Sequence, residues 1–81
     1  MTANQIHSMQ RILTDKITKA VTPSSLQIID KSGGCGSFFE IHVVSSSFQN
    51  HTKIKQQQMV YNAIKEEMKE IHGVNLFTST Q

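Results

Sequence analysis

The sequence predicts a single α+β domain over residues 1–81, in the order helix, strand, strand, helix, strand. Three observations lead to it. Apolar residues recur at steps of three and four in two long segments, one near each end of the chain. Between them, FFEIHVV at residues 38–44 is rich in aromatic and β-branched side chains, as a strand requires. The one proline and all four glycines fall at the joins between such segments.

Residues 5–21 read as an amphipathic helix, with Ile6, Met9, Leu13 and Ile17 on one stripe and Ile12 and Ala20 widening it. Arg11, Asp15 and Lys19 lie opposite at i, i+4 spacing, as a solvated face would. Thr22-Pro23 ends this helix, because the residue before proline is pushed out of the helical region. Leu26, Ile28 and Ile29 support a short strand over 26–30, and residues 32–37 form the turn that follows. In the strand 38–44, Phe39, Ile41 and Val43 share one face, while Phe38, Glu40, His42 and Val44 share the other. The polar connection SSSFQNHT, residues 45–52, carries Phe48 as an anchor into the core.

Residues 53–72 read as one long helix. Val60, Ile64, Met68 and Ile71 form its apolar stripe with Ala63 beside it, and Lys65, Glu66, Lys69 and Glu70 face water. Gly73 follows, where a left-handed cap would sit. Val74, Leu76 and Thr78 alternate in a last strand over 74–79. A tight turn pairs the first two strands antiparallel, and the helical crossover favours a parallel third strand. The economical result is a three-stranded mixed sheet with the helices on one face.

Composition agrees with so small an architecture. A chain of 81 residues, 37% hydrophobic and 6% aromatic, has a thin core. A formal charge of +2, with the basic residues scattered, gives no footprint for nucleic acid or an anionic membrane. A single cysteine excludes an internal disulfide and favours a reducing compartment. No apolar run approaches the ~20 residues of a membrane span. The first twenty residues carry three basic groups and one acid, a faint likeness to an organelle-targeting helix. The domain needs that segment for its core, so any import sequence is expected upstream.

Two residues stand out chemically. Cys35 lies between Gly34 and Gly36. Glycines keep bulk away from the sulfur, and exposed N–H groups in such a turn can stabilise a thiolate. The bland alternative is that the glycines serve a hairpin and the cysteine is incidental. His72 ends the long helix of this reading, where a histidine can interact with the helix dipole. Its functional alternative is metal ligation through a neutral imidazole nitrogen. His42 reads as a surface residue, His51 sits in the polar connection and His7 lies near the terminus. Tyr61, Met59 and Met68 read as packing. Two donors are too few for a structural zinc site, which takes four from the protein. They suffice where a second molecule completes the set, as in a two-iron cluster with mixed cysteine and histidine ligation.

GGCGSFFEIHVVSSSF, followed by KQQQMVYNAIKEEMKEIHGVNLFTST, resembles the BolA-like proteins. It is most similar to their mitochondrial, cysteine-bearing branch, in which a Gly-Gly-Cys-Gly turn precedes Phe-Glu-Ile-His. The resemblance runs from the first helix to Thr80. It implies a BolA domain, similar to the type II KH fold. It further implies a complex with a monothiol glutaredoxin and a [2Fe–2S] cluster across the interface, to which the glutaredoxin brings a cysteine and glutathione a second thiolate. The implied role is non-enzymatic and late in iron–sulfur assembly, helping [4Fe–4S] clusters reach clients such as lipoate synthase and respiratory complexes. The implied compartment is the mitochondrial matrix, with the cytoplasm as alternative. Carried over by position, the family's histidine is His72 and the branch's turn cysteine is Cys35. Many relatives have a histidine in the middle helix where this chain has Gln57, which puts a role for that histidine in doubt here.

Two other functions compete with cluster handling. The first is nucleic-acid binding, which a KH-like fold suggests. KH domains clamp the backbone with a Gly-X-X-Gly loop. Gly33-Gly34-Cys35-Gly36 fits literally but lies between strands, and the connection after the second strand has no glycine. The second is thiol redox chemistry at Cys35, for which the chain lacks a resolving cysteine.

Overall fold

The first helix, α1, runs Ala3–Val21 and buries Met9, Leu13, Ile17 and Val21 as one i, i+4 ridge. The structure, a computed structural model, describes residues 3–33 and 38–80, with side chains from Met9 onward. The stripe is narrower than expected: Ile12 is 40% exposed and Ala20 is exposed. Steps of four advance the buried ridge by only about 40° each, so Ile12 falls roughly 60° outside the arc swept from Met9 to Val21. Val21 is buried at the end of the ridge, where its carbonyl is tied down. It accepts hydrogen bonds from Ser45 Oγ (2.5 Å) and Ser47 Oγ (3.1 Å).

Thr22 ends α1 as expected, but in a left-handed conformation (φ 42°), its N–H donating to the Thr18 carbonyl at 2.9 Å. A β-branched residue is strained there. Thr22→Gly is therefore expected to raise stability by about 1 kcal/mol, read as a higher urea midpoint at unchanged slope. An unchanged or lower midpoint would show that the strain is not relieved.

Strands β1 (Ser25–Asp30), β2 (Phe38–Val44) and β3 (Gly73–Ser79) form one sheet in the order β1-β2-β3. β1 pairs antiparallel to β2, and β3 pairs parallel to it, as the turn and crossover lengths predict. The register places Ile28 beside Ile41 and Ile41 beside Leu76, so alternate residues of all three strands share one face. On that face Phe39, Ile41, Val43 and Leu76 join the buried residues of both helices in one core. Phe48 lies in the connection after β2, on the 3₁₀ turn Ser46–Phe48, and is fully buried as expected.

The expected helix over 53–72 is shorter. α2 spans Lys53–Ala63, capped by the Thr52 hydroxyl on the Lys55 N–H at 3.1 Å. At Ile64 the N–H is shared between the carbonyls of Val60 and Tyr61 (3.3 and 3.2 Å), and a second 3₁₀ turn follows at Glu67–Lys69. The apolar order survives the change: Val60, Ile64 and Ile71 are buried and Met68 packs on the core. Tertiary contacts override the helical period, since Ile71 has to meet the core two residues before β3 begins beside β2. An ion pair from Lys16 of α1 to Glu67 (2.7 Å) holds this segment in place.

A buried polar knot joins α2 to β3. Thr78 Oγ1 donates to Gln56 Oε1 (2.8 Å), and Gln56 Nε2 donates to the carbonyls of Phe48 (3.3 Å) and His51 (3.0 Å). The Lys53 ammonium donates to the Thr78 carbonyl. The buried side chains of Gln56 and Thr78 thus find partners, and the knot fixes the end of β3 against the start of α2.

Candidate functional site at the first rung of the parallel ladder

Parallel pairing brings the starts of β2 and β3 side by side, with Phe38 opposite Gly73. Phe38 is three residues after Cys35, and Gly73 is one residue after His72. His72 therefore directly precedes this rung, while Cys35, three positions before Phe38 in the sequence, lies outside the described residues.

The Gly73 conformation differs from the sequence expectation. It is not a left-handed cap: among the described glycines, only Gly33 has positive φ (75°). Instead Gly73 opens β3 with the Phe38 ring lying against it. A Cβ at position 73 would meet Phe38 Cε2 at 3.1 Å and Cδ2 at 3.5 Å. The glycine serves a close approach of side chain to backbone.

His72 is exposed and sits between the second 3₁₀ turn and β3. The helix-dipole reading of this residue falls, because α2 ends at Ala63 and dipole effects fade within the last turn. Cys35 lies outside the described residues, as does most of the turn expected over 32–37. On the near side of that segment the Asp30 carboxylate accepts from the N–H (2.8 Å) and hydroxyl (2.5 Å) of Ser32. This local Asx-type pairing turns the chain out of β1. The Lys31 N–H donates to the Phe38 carbonyl at 2.9 Å, so β1 and β2 remain joined up to the segment.

Among the described residues, no group of three or more His, Cys, Asp or Glu could hold a metal ion. His51 is exposed and contributes its carbonyl to Gln56, and the His7 side chain is not among those described. Gln57, at the position where many relatives have histidine, is half-buried on α2. Tyr61, Met59 and Met68 pack against the core as expected.

His42 does more than its surface reading. Its ring stacks on Phe77 of β3, with centroids 4.7 Å apart and planes 13° from parallel, and its Nε2–H donates to Glu40 Oε2 at 2.8 Å. Phe77 is 51% exposed, so the stack lies on the open face of the sheet. The signal was available: once Leu76 and Thr78 point inward, Phe77 must point outward, opposite His42 in a parallel register.

The hydrogen bond from His42 holds the Glu40 carboxyl below the ordinary glutamate range, helped by the charges of Lys31 and His42 and opposed by desolvation. A lowered folded-state value stabilises the fold above the unfolded glutamate value, and this contribution disappears as pH falls through the folded value. Glu40→Gln is expected to flatten that part of the acid limb in a plot of urea midpoint against pH. An acid limb identical to the parent's would remove Glu40 from the linkage.

Comparison with known proteins agrees with this architecture. The family profile BolA, described as BolA-like protein, matches residues 17–81. The chain belongs to the BolA-like family. It is 42% identical over 69 residues to BolA-like protein 3 of Homo sapiens, covering 85% of this chain and 62% of that protein. It is 39% identical over 72 residues to an uncharacterised BolA-like protein of Schizosaccharomyces pombe, covering 89% and 62% respectively. The chain therefore spans about three fifths of the length of these relatives. The crystal structure of a Bol-like protein from Babesia bovis superposes with a TM-score of 0.78 at 30% identity, covering 86% of this chain and 83% of that one.

Proposed function

We propose that the protein is a non-enzymatic iron–sulfur adaptor. It would partner a monothiol glutaredoxin and co-ligate a bridging [2Fe–2S] cluster through Cys35 and His72, the cluster being cargo handed on to [4Fe–4S] client or late-assembly proteins. The observation that carries this reading is the Phe38–Gly73 rung. Cys35 precedes Phe38 by three residues and His72 precedes Gly73 by one, and this closeness in sequence to a single rung supports a shared site.

The donor set fits a shared site. Thiolate and neutral imidazole are both ligands of two-iron clusters. His72 is exposed at the surface, where a second protein can reach it. Membership of the BolA-like family and the likeness to BolA-like protein 3 support an iron–sulfur role, and the compartment proposed with it is the mitochondrial matrix. No helix among the described residues is long and apolar enough to cross a membrane.

The test is to mix the chain with a monothiol glutaredoxin, glutathione, iron and sulfide. A coloured heterocomplex is expected, with a visible spectrum distinct from that of the glutaredoxin alone. A spectrum matching the glutaredoxin alone, with this chain eluting separately, would overturn the proposal.

A further inference from the structure

We infer that Phe38 is the positioning residue for His72, acting through the Cβ-free surface of Gly73. The inference deepens the ligand reading of His72 above and rests on it for its functional consequence. Its structural part stands alone. The aromatic ring of Phe38 stands where a Cβ on Gly73 would crowd it, at the first rung of the parallel ladder.

Beyond that rung β3 is held firmly. Leu76 and Thr78 are buried, Val74 packs on the core, and Thr78 is bonded to Gln56. On the other side, Ile71 is buried and pinned to the same core. His72 and Gly73 are thus a two-residue bridge between fixed points. The ring of Phe38 is the side chain that limits how that bridge can bend. A Cβ added at 73 would stand 3.1 Å from the ring, tighter than ordinary carbon–carbon contact, so ring and bridge would have to separate by a few tenths of an ångström. β3 is held from Val74 onward, so what the ring does not take up of this displacement falls on the His72 backbone and changes the direction of its imidazole.

Ring and missing Cβ are complementary, so each single change should disturb His72 and the pair should compensate. Gly73→Ala introduces the clash, and Phe38→Leu removes the ring and leaves a gap. Combined, the added methyl group occupies the space the ring vacated. In the glutaredoxin mixture, each single variant is expected to lower apparent affinity for the cluster-bearing complex by about tenfold, as groups that orient a ligand do. The visible circular dichroism of the cluster should shift with it, and the double variant should recover both. In the isolated chain, the three-bond HN–Hα coupling of His72, which reports its φ, should move in each single variant and return in the double.

Strictly additive losses, or a His72 coupling unchanged in a folded Gly73→Ala chain, would overturn the positioning role. If Gly73→Ala does not fold, Phe38→Leu, which adds no atom, decides by the same coupling. If the parent chain forms no coloured complex, the ligand reading falls, and the coupling measurements alone judge Phe38.

Discussion

Phe48→Ala is expected to lower stability by about 3–5 kcal/mol, the range for emptying a buried aromatic site. Phe48 is fully buried, and it lies in a connection between elements, where no regular backbone ladder would hold the chain once the ring is gone. Its carbonyl also accepts from Gln56, so loss of the ring loosens the polar knot that holds β3 to α2. For a chain of 81 residues the total stability is roughly 4–12 kcal/mol, so one side chain carries a large share of it. Urea unfolding of Phe48→Ala should show a much lower midpoint, and part of the population should be unfolded without denaturant. Ile54, which is 70% exposed, provides the contrast: Ile54→Ala should change stability by less than about 0.5 kcal/mol. Equal effects at the two positions would refute the burial argument.

His72→Ala is expected to remove the distinct spectrum of the glutaredoxin mixture while leaving the fold intact. The side chain is exposed, and it makes none of the core contacts that hold Ile71 and Leu76. Its unfolding midpoint should therefore stay within about 0.5 kcal/mol of the parent. Cys35→Ala should give the same spectral loss if both residues are ligands. A thiol-exchange role would instead make Cys35→Ala the only damaging change. Imidazole binds metal only when neutral, so protons compete with ligation. Absorbance of the parent complex should fall as pH is lowered from neutral to mildly acidic values. A flat titration of the parent would count against imidazole ligation. His42 makes a useful control, since its ring is already engaged by Glu40 and Phe77. His42→Ala should keep the cluster spectrum.

The elements were legible to different degrees, for identifiable reasons. β2 was read residue for residue, because FFEIHVV alternates without interruption and its burial follows that alternation. The pairing directions followed from connection lengths alone. The second helix was overextended because Val60, Ile64, Met68 and Ile71 keep helical spacing in sequence, while the backbone tightens into a 3₁₀ turn after Ile64. Periodicity reports which residues must face the core and cannot distinguish two backbone paths that satisfy the same order. Buried Gln56 was missed because, within the run Gln56-Gln57-Gln58, nothing local marks which amide will find partners. Its partners come from β3 and from the connection after β2.

By itself the sequence determined the α-β-β-α-β order, the mixed sheet and the identity of most core residues, and it singled out Cys35 and His72 as the candidate ligands. These depend on local spacing, turn chemistry and side-chain type, all written along the chain. Only the tertiary structure decided that Phe38 and Gly73 stand on one rung and that Gly73 is needed for a ring's approach. It also decided that His72 lies free of any helix end. Those facts arise from parallel strand pairing between segments about 35 residues apart, a contact whose geometry no local pattern encodes.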